Sequence, residues 1–475
     1  MKNMWEWLNT TINQFEKCFS RRPTYHWFVV ILIGIMIRTD HLGITSIVRE
    51  LNLAISAYPA MIHFFRSEGW YIGSIKHAWI GLVARMHVLI KEDGRYILIG
   101  DGVKQPKEGR RTPGVKKLHQ ESDNSSKGEY IHGHLFGGLG ILAGNGAKLY
   151  SILLSVRLHD GIAALQKWRH GNDHGEESHV VKMIRDAAWA AQYLGESILL
   201  LDRLFLSKPM LLALAETPGL CAVTKAKLNA TAFCPPGPYK GRGAKPKKGP
   251  AVNVADFFRT GKFSSAEMNP YGRNQVVRFF CVNLLWGRGL YRSLRLVLTV
   301  FDDGTKSILV STDLTLSPES VIKLYCRRFK IECAFRELKQ VVAGFSYHFW
   351  SKTMPKLQKF KSNDENQANL ENVSDPNHRK LIRSAVDAIE CYVQMSIIAL
   401  GLLQLIGLLF GNEIKRGGGR FMRTVSNDVP SERTVADFMR KNIYMLFRFF
   451  PDMALTSIIR KHQTTCFDNI DDKTA

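Results

Sequence analysis

Tyr325, Arg328, Glu332 and Lys339 stand at offsets 0, 3, 7 and 14 in the segment YCRRFKIECAFRELK. At 100° per residue these four fall within an arc of roughly 60° on one helix face, and Arg336 belongs to the same stripe. A carboxylate among three cations and a phenol suits a metal ion together with a phosphodiester. An exposed helix with ordinary i,i+4 pairs such as Glu332–Arg336 accounts for the stripe equally well. Carboxylates elsewhere must decide between the two.

Two aspartates close strand-like runs. Asp101 follows RYILIG, and Asp202 follows the all-apolar run SILLL. In open sheets with parallel strands, ligands gather at the carboxyl ends of strands, and a helix crossing the sheet can add a third carboxylate. Three carboxylates without a Cys/His set favour a hard ion, Mg²⁺ or Mn²⁺. Two such ions roughly 3.5–4 Å apart suit in-line displacement at phosphorus. Catalytic and metal roles are therefore expected of Asp101, Asp202 and Glu332. Other acidic residues read as structural: Asp313 as a turn or cap residue, Asp302 and Asp303 as a hairpin turn, and Asp160 as a strand end. The cluster Asp173, His174, Glu176, Glu177 and His179 reads as loop and helix-entry charge, because its two histidines miss the i,i+4 helical spacing.

The elements that must carry these residues follow from periodicity. Residues 1–90 read as a helical, DNA-binding N-terminal region. Within it, 43–67 reads either as a helix-turn-helix or as a plain helical hairpin, with Pro59 disfavouring a straight recognition helix. In 91–227, strands are expected at 95–100, 129–142, 148–158, 197–201 and 220–227, with helices at 179–194 and 209–216, an α/β mixed sheet. Residues 228–312 form a β-rich insertion with strands at 276–285, 293–301 and 306–311. Ser317 and Pro318 start a helix that carries the stripe and completes the core over 313–345. A linker at 352–378 and a helix at 381–410 belong to the C-terminal region, 346–475. Two Gly/Lys-rich loops offer phosphate contacts, one through Lys104, Lys107 and Arg110, the other through Lys245, Lys247 and Lys248; solvated flexible loops are the alternative.

Lys and Arg number 65 against 42 Asp and Glu, a net charge of +23. That balance calls for a polyanionic partner, nucleic acid first and an anionic membrane second. The apolar runs at 27–37 and 395–410 fall short of the roughly 18–20 residues a span needs, so they read as buried core helices and no membrane partner is expected. The eight cysteines lack CxxC or ligand spacing and read as reduced thiols.

The pattern Y-x2-R-x3-E-x6-K resembles the Y-R-E-K signature of DDE transposases from bacterial insertion sequences (the "IS four" group). ILIGDGVKQPKEGRR is similar to that family's first-aspartate region and SILLLDRLF to its second, so the resemblance spans roughly 90–345. It implies an RNase H-like core interrupted by a β-rich insertion. It also implies two Mg²⁺ or Mn²⁺ ions held by Asp101, Asp202 and Glu332, with Tyr325 and Arg328 on the phosphate at the cut end and Lys339 on a further phosphate. Some members stack a flipped base on an insertion-domain tryptophan. The strand at 306–311 has none, and Trp286 is the candidate platform.

The implied function is a cut-and-paste insertion-sequence transposase acting on terminal inverted repeats and target DNA. A homodimer on paired ends and a cytoplasmic, nucleoid-associated place in a bacterium go with it. An RNase H-like nuclease without strand transfer would use the same carboxylates, and a non-enzymatic helix-turn-helix regulator would explain the charge alone.

Overall fold

The computed structural model describes residues 2–120, 128–146, 148–170, 177–239, 241, 244–270, 272–357, 370–416 and 429–464. Asp173, His174 and Glu176, and residues 358–369 of the 352–378 linker, lie outside these residues. The chain opens with five helices, α1 (Lys2–Asn13), α2 (Arg22–Ile37), α3 (Ile44–Glu50), α4 (Ala57–Arg66) and α5 (Ile72–Ala84). A mixed sheet with crossover helices follows: β1 (Lys91–Glu92), β2 (Arg95–Pro106), β3 (Lys116–His119), β4 (Tyr130–Gly144), β5 (Leu149–Leu158), α6 (Ala163–His170), α7 (His179–Leu194), β6 (Ser197–Leu201), α8 (Lys208–Ala215) and β7 (Leu220–Ala226).

The five strands that carry the site lie in the order β5–β4–β2–β6–β7. β4 runs antiparallel to both β2 and β5, while β6 lies parallel to β2 and β7 parallel to β6. A three-strand antiparallel start followed by two parallel crossover strands is the RNase H-like arrangement. β6 sits centrally with all five residues buried, as its unbroken apolar run demands. The expected boundaries of β6 and α7 match those found, and β2 runs six residues beyond the expected end, so Asp101 lies within the strand.

The insertion continues as β8 (Thr231–Phe233), β9 (Ala251–Asn253), α9 (Phe257–Thr260), β10 (Ser264–Met268), β11 (Gln275–Trp286), β12 (Arg292–Val300) and β13 (Lys306–Ser311). Thr305 N donates to Asp303 Oδ1 over 2.9 Å in the β12–β13 turn, and Gly304 takes φ 78° there. The insertion is not a separate sheet. β13 pairs antiparallel with β7, Ser311 opposite Val223, so the insertion extends the core sheet. That pairing covers the β7 edge, whose bare N–H and C=O groups would otherwise be unpaired. Asp313 is a structural residue: it accepts from Arg95 at 2.5 Å and from Thr315 N at 2.8 Å.

Two helices, α10 (Pro318–Arg327) and α11 (Lys330–Gln340), replace the single helix expected over the stripe. α12 (Pro376–Arg416), α13 (Glu432–Phe449) and α14 (Ala454–Arg460) close the chain. At 41 residues α12 is longer than the apolar run suggests, and by length and composition it could cross a membrane. Its most apolar window is 83% buried inside the protein, against β5, α2 and α13.

In the 43–67 segment, Pro59 sits in the first turn of α4 and does not break it. Ala57, Met61, Phe64 and Phe65 face the core, while Tyr58, His63 and Arg66 are exposed. The turn between α3 and α4 is strapped by the chain after α14, through Ala54 N to His462 O and Thr464 N to Asn52 O, each 3.0 Å.

Candidate active site

The register of two parallel strands builds half of the site. Gly100 of β2 lies opposite Leu201 of β6, so Asp101 and Asp202 come next, side by side, on neighbouring strands. Asp202 ends its strand and opens the turn Arg203–Phe205 without capping it through its side chain. Thr224 Oγ1 on β7 donates to the Asp202 carbonyl over 2.9 Å and pins that strand end.

α11 lies over the Asp101 face of the sheet. Gly138, opposite Asp101 on β4, has no side chain, and a Cβ there would come within 2.6 Å of the Phe335 ring. Ser317 caps α10 by accepting from Ser320 N at 3.0 Å, with Pro318 first in the helix. Val321, Ile322 and Leu324 of α10 and Ile331, Ala334, Phe335 and Leu338 of α11 are buried, which turns Tyr325, Arg328 and Glu332 to the rim. The helix breaks at Arg328–Phe329, where Arg328 N bonds Tyr325 O and Ile331 N bonds Arg328 O in three-residue steps. Both residues keep right-handed helical angles, so the stripe survives with a tightened turn in its middle.

Arg328 joins two of the three carboxylates. Its Nη1 donates to Asp101 Oδ2 over 3.1 Å and its Nη2 to Glu332 Oε1 over 2.6 Å. Asp101 Oδ1 also accepts from Gly102 N at 2.7 Å. Burial pushes the Asp101 carboxyl up to about 6, with the Asp202 and Glu332 charges adding to the rise, while Arg328 and the Gly102 N–H hold it down. Burial works against the Arg328 charge, but Asp101, then Tyr325 and Glu332, overcome it and raise its pKa further. The Tyr325 phenol goes up to about 12, chiefly through burial. Its ring centroid lies 6.0 Å from the Arg328 guanidinium. Among the described residues Asp202 has no side-chain hydrogen-bond partner.

The donors are carboxylate oxygens, the set a hard dication takes. Among the described residues no three His, Cys, Asp or Glu side chains are grouped closely enough to hold an ion as they stand. The Arg328 guanidinium bridges Asp101 and Glu332. The residues thus fit an ion in chemistry, and the carboxylates are closed around an internal cation.

The remaining expected residues separate into two groups. Lys107 turns inward: its Nζ donates to Phe345 O at 2.5 Å and lies 3.6 Å from the Tyr347 ring centroid, and burial lowers its pKa to about 8. Lys104 donates to His119 O at 2.6 Å. Arg110, Lys245 and Lys247 are exposed. Arg336 pairs with its neighbour Glu337 at 2.9 Å. Lys339 approaches the Phe345 ring centroid to 6.0 Å.

Trp286, at the end of β11, is half-buried and lines a cavity of about 690 Å³ with Arg203, Lys208, Phe233, Lys248 and Arg288. Lys248 lies 4.3 Å from the Phe233 ring centroid. Arg203 links this cavity to Asp202, its neighbour in sequence. Sequence reasoning missed Lys208 and Arg288 here: single cations with no periodicity give no signal, and only folding brings them to Trp286.

The family described as DDE superfamily endonuclease matches residues 14–262, a span that holds Asp101 and Asp202 and ends before Glu332. A cryo-EM structure of piggyBac transposase, in a synaptic complex with hairpin DNA, is similar over 94% of this chain and 74% of its own, at 12% identity and a TM-score of 0.38. No curated protein matches the chain significantly.

Proposed function

We propose that this chain, which belongs to the DDE superfamily endonucleases, is an insertion-sequence transposase of the Y-R-E-K group. It would cut DNA at the element's terminal inverted repeats and join the freed 3′-OH to target DNA. The observation that carries this reading is the placing of Asp101 beside Asp202 by strand register, with Glu332 tied to Asp101 through Arg328. Asp101, Asp202 and Glu332 would hold two Mg²⁺ or Mn²⁺ ions, which when bound activate the attacking oxygen and stabilise the leaving one.

The chain's own groups divide the remaining work. Arg328 and Tyr325, at the carboxylates' edge, grip the phosphate at the cut end, and Lys339 takes a neighbouring phosphate. Arg110, Lys245 and Lys247 meet the backbone farther out, and the exposed face of α4 in the N-terminal region adds contacts. Trp286, in its cationic cavity, offers a stacking face for a base displaced from the duplex. A homodimer would present two such sites to paired ends in the bacterial cytoplasm, with no membrane partner.

The test uses duplex DNA carrying the inverted repeats that flank the reading frame, with Mg²⁺. Wild type should give both nicked ends and joined product. Asp101→Asn, Asp202→Asn and Glu332→Gln should each abolish cleavage while keeping end binding. Normal cleavage in any of the three would sink the assignment of that carboxylate. Cleaved but never joined DNA would reduce the activity to that of a nuclease.

A further inference from the structure

The sheet face opposite Asp101 carries a buried polar chain that the proposed chemistry does not use. Gly102 of β2 pairs with Gly137 of β4, and because side chains alternate along a strand, both positions point away from the Asp101 face. A Cβ at Gly137 would fall on the His159 ring, and a Cβ at Gly102 would lie 3.1 Å from His179 Nε2. Two strand glycines thus leave room for two imidazoles. His159, at the end of β5, is fully buried, and His179 opens α7.

The two rings are hydrogen-bonded in series. His159 Nδ1 lies 2.7 Å from His179 Nδ1, and His159 Nε2 lies 3.0 Å from Asp186 Oδ2. Asp186 is anchored in turn by Arg157 Nε at 2.8 and 3.0 Å from its two oxygens. Lys182 Nζ donates to the His159 carbonyl over 2.6 Å.

The partners dictate the tautomers. Asp186 can only accept, so His159 Nε2 carries the proton; its Nδ1 then accepts, and His179 Nδ1 donates. Burial lowers the pKa of both histidines, His179 to about 4, which keeps both rings neutral. The ring of His179 is therefore fixed in orientation, with Nε2 toward Gly102. On its other side it packs on Phe205, centroids 5.1 Å apart. His179 thus touches the residue directly after Asp101 and the turn directly after Asp202.

We infer that His179 is a positioning residue, a wedge that sets the spacing of the two aspartate-bearing strand ends and is itself locked by His159, Asp186 and Arg157. This rests on the proposed reading of Asp101 and Asp202 as the ion-holding pair. Apolar side chains could fill the same volume without polar burial. What the hydrogen-bonded chain adds is a single ring orientation.

The test titrates Mn²⁺ alone into the full chain, following the bound ion by electron paramagnetic resonance, with thermal melting alongside. His179→Leu removes the Nδ1 donor that locks the wedge and should weaken Mn²⁺ binding about tenfold, the lower end of what loss of a group that orients metal ligands costs. His179→Asn retains an amide N–H at the Nδ1 position but lacks the ring edge that reaches Gly102, and should stay weakened because the wedge itself is gone. If His179→Leu does not fold, His179→Gln, which lacks that donor position, is judged by the same criterion. A wild-type isotherm in a folded His179→Leu protein overturns the inference, as does a folded His179→Asn protein that binds Mn²⁺ as tightly as wild type. Asp101→Asn run in parallel separates the two levels: if it too leaves the isotherm unchanged, the ion-holding reading fails and this inference goes with it. A weakened isotherm in Asp101→Asn beside an unchanged one in His179→Leu removes the wedge alone.

Discussion

Arg328 donates to the Asp101 carboxylate over 3.1 Å while its second nitrogen holds Glu332, so an internal cation stands where two of the acidic side chains converge. Opposite charges a few ångströms apart and partly shielded from water attract strongly. Any external cation entering between Asp101 and Glu332 must compete with a guanidinium that cannot lose its charge.

The competition has a measurable sign. Arg328→Gln should bind Mn²⁺ more tightly than wild type in the absence of DNA, because two carboxylates lose their resident cation. The same variant should bind duplex DNA more weakly and with a shallower dependence on salt, having lost one phosphate contact. Equal Mn²⁺ affinity in the two proteins would mean that Arg328 does not compete for the carboxylates.

Trp286 gives a prediction at the other end of the site. Its cavity is cationic and its ring half-buried, a setting for stacking one displaced base. Trp286→Ala should weaken binding of an element end by about 1–3 kcal/mol, the usual worth of a base–aromatic stack. A 2-aminopurine scan near the cleavage point should find one position whose fluorescence differs between wild type and the variant, because stacking on an indole quenches it. Identical scans would exclude Trp286 as the platform.

How far the sequence discloses this site depends on the range of the interactions involved. Asp101 and Asp202 are legible because each follows a run of strand-type residues, and Glu332 because helical spacing gathers it with Tyr325 and Arg328. The boundaries of β6, α7 and β13 are legible for the same local reasons. The pairing of β13 with β7 is not, since an apolar strand carries no mark of which edge it will cover. The turn at Arg328–Phe329 contains neither Gly nor Pro, so nothing local announces the break. His159 and His179 are separated by 20 residues and become partners only when α7 packs beneath the glycines of β2 and β4. Polar contacts of that kind are set by tertiary packing and leave no periodicity to read.

Asp186 ties this buried chain to acid stability. Burial alone would raise its pKa, but the hydrogen bond from His159 and the charge of Arg157 overcome that and lower it to about 2. A depressed carboxyl adds stability that is complete above the unfolded value near 4 and is lost as pH falls through the folded value. Asp186→Asn should therefore destabilise the protein at pH 7 by about 3 kcal/mol, since it also removes the carboxylate paired with the half-buried Arg157. The gap from wild type should narrow between about pH 4 and pH 2. Denaturant melts of both proteins across that range check the sign, and a gap that stays constant would detach Asp186 from the effect.

The end of the helix that carries Glu332 depends on a residue far away in sequence. Arg38, after α2, is 2% exposed. Its Nη1 donates to Gly43 O at 3.0 Å and the Tyr392 hydroxyl at 2.9 Å; its Nη2 donates to Ala343 O at 3.0 Å and also to Val342 O. Among the described residues no carboxylate takes part, so the guanidinium serves as a fork that satisfies backbone carbonyls where α11 ends, including that of Ala343, whose φ of 48° places it in the left-handed region. Arg38→Met keeps the stem and removes the donors, leaving buried carbonyls bare at about 1–3 kcal/mol each. Allowing for relaxation, a loss of about 3 kcal/mol is expected. Because the carbonyls released belong to Gly43, Val342 and Ala343, hydrogen exchange in the variant should quicken first over 341–347 and at the start of α3, ahead of β6 in the sheet centre. Uniform quickening across the protein would instead mean that Arg38 supports the whole core and not the helix that carries Glu332.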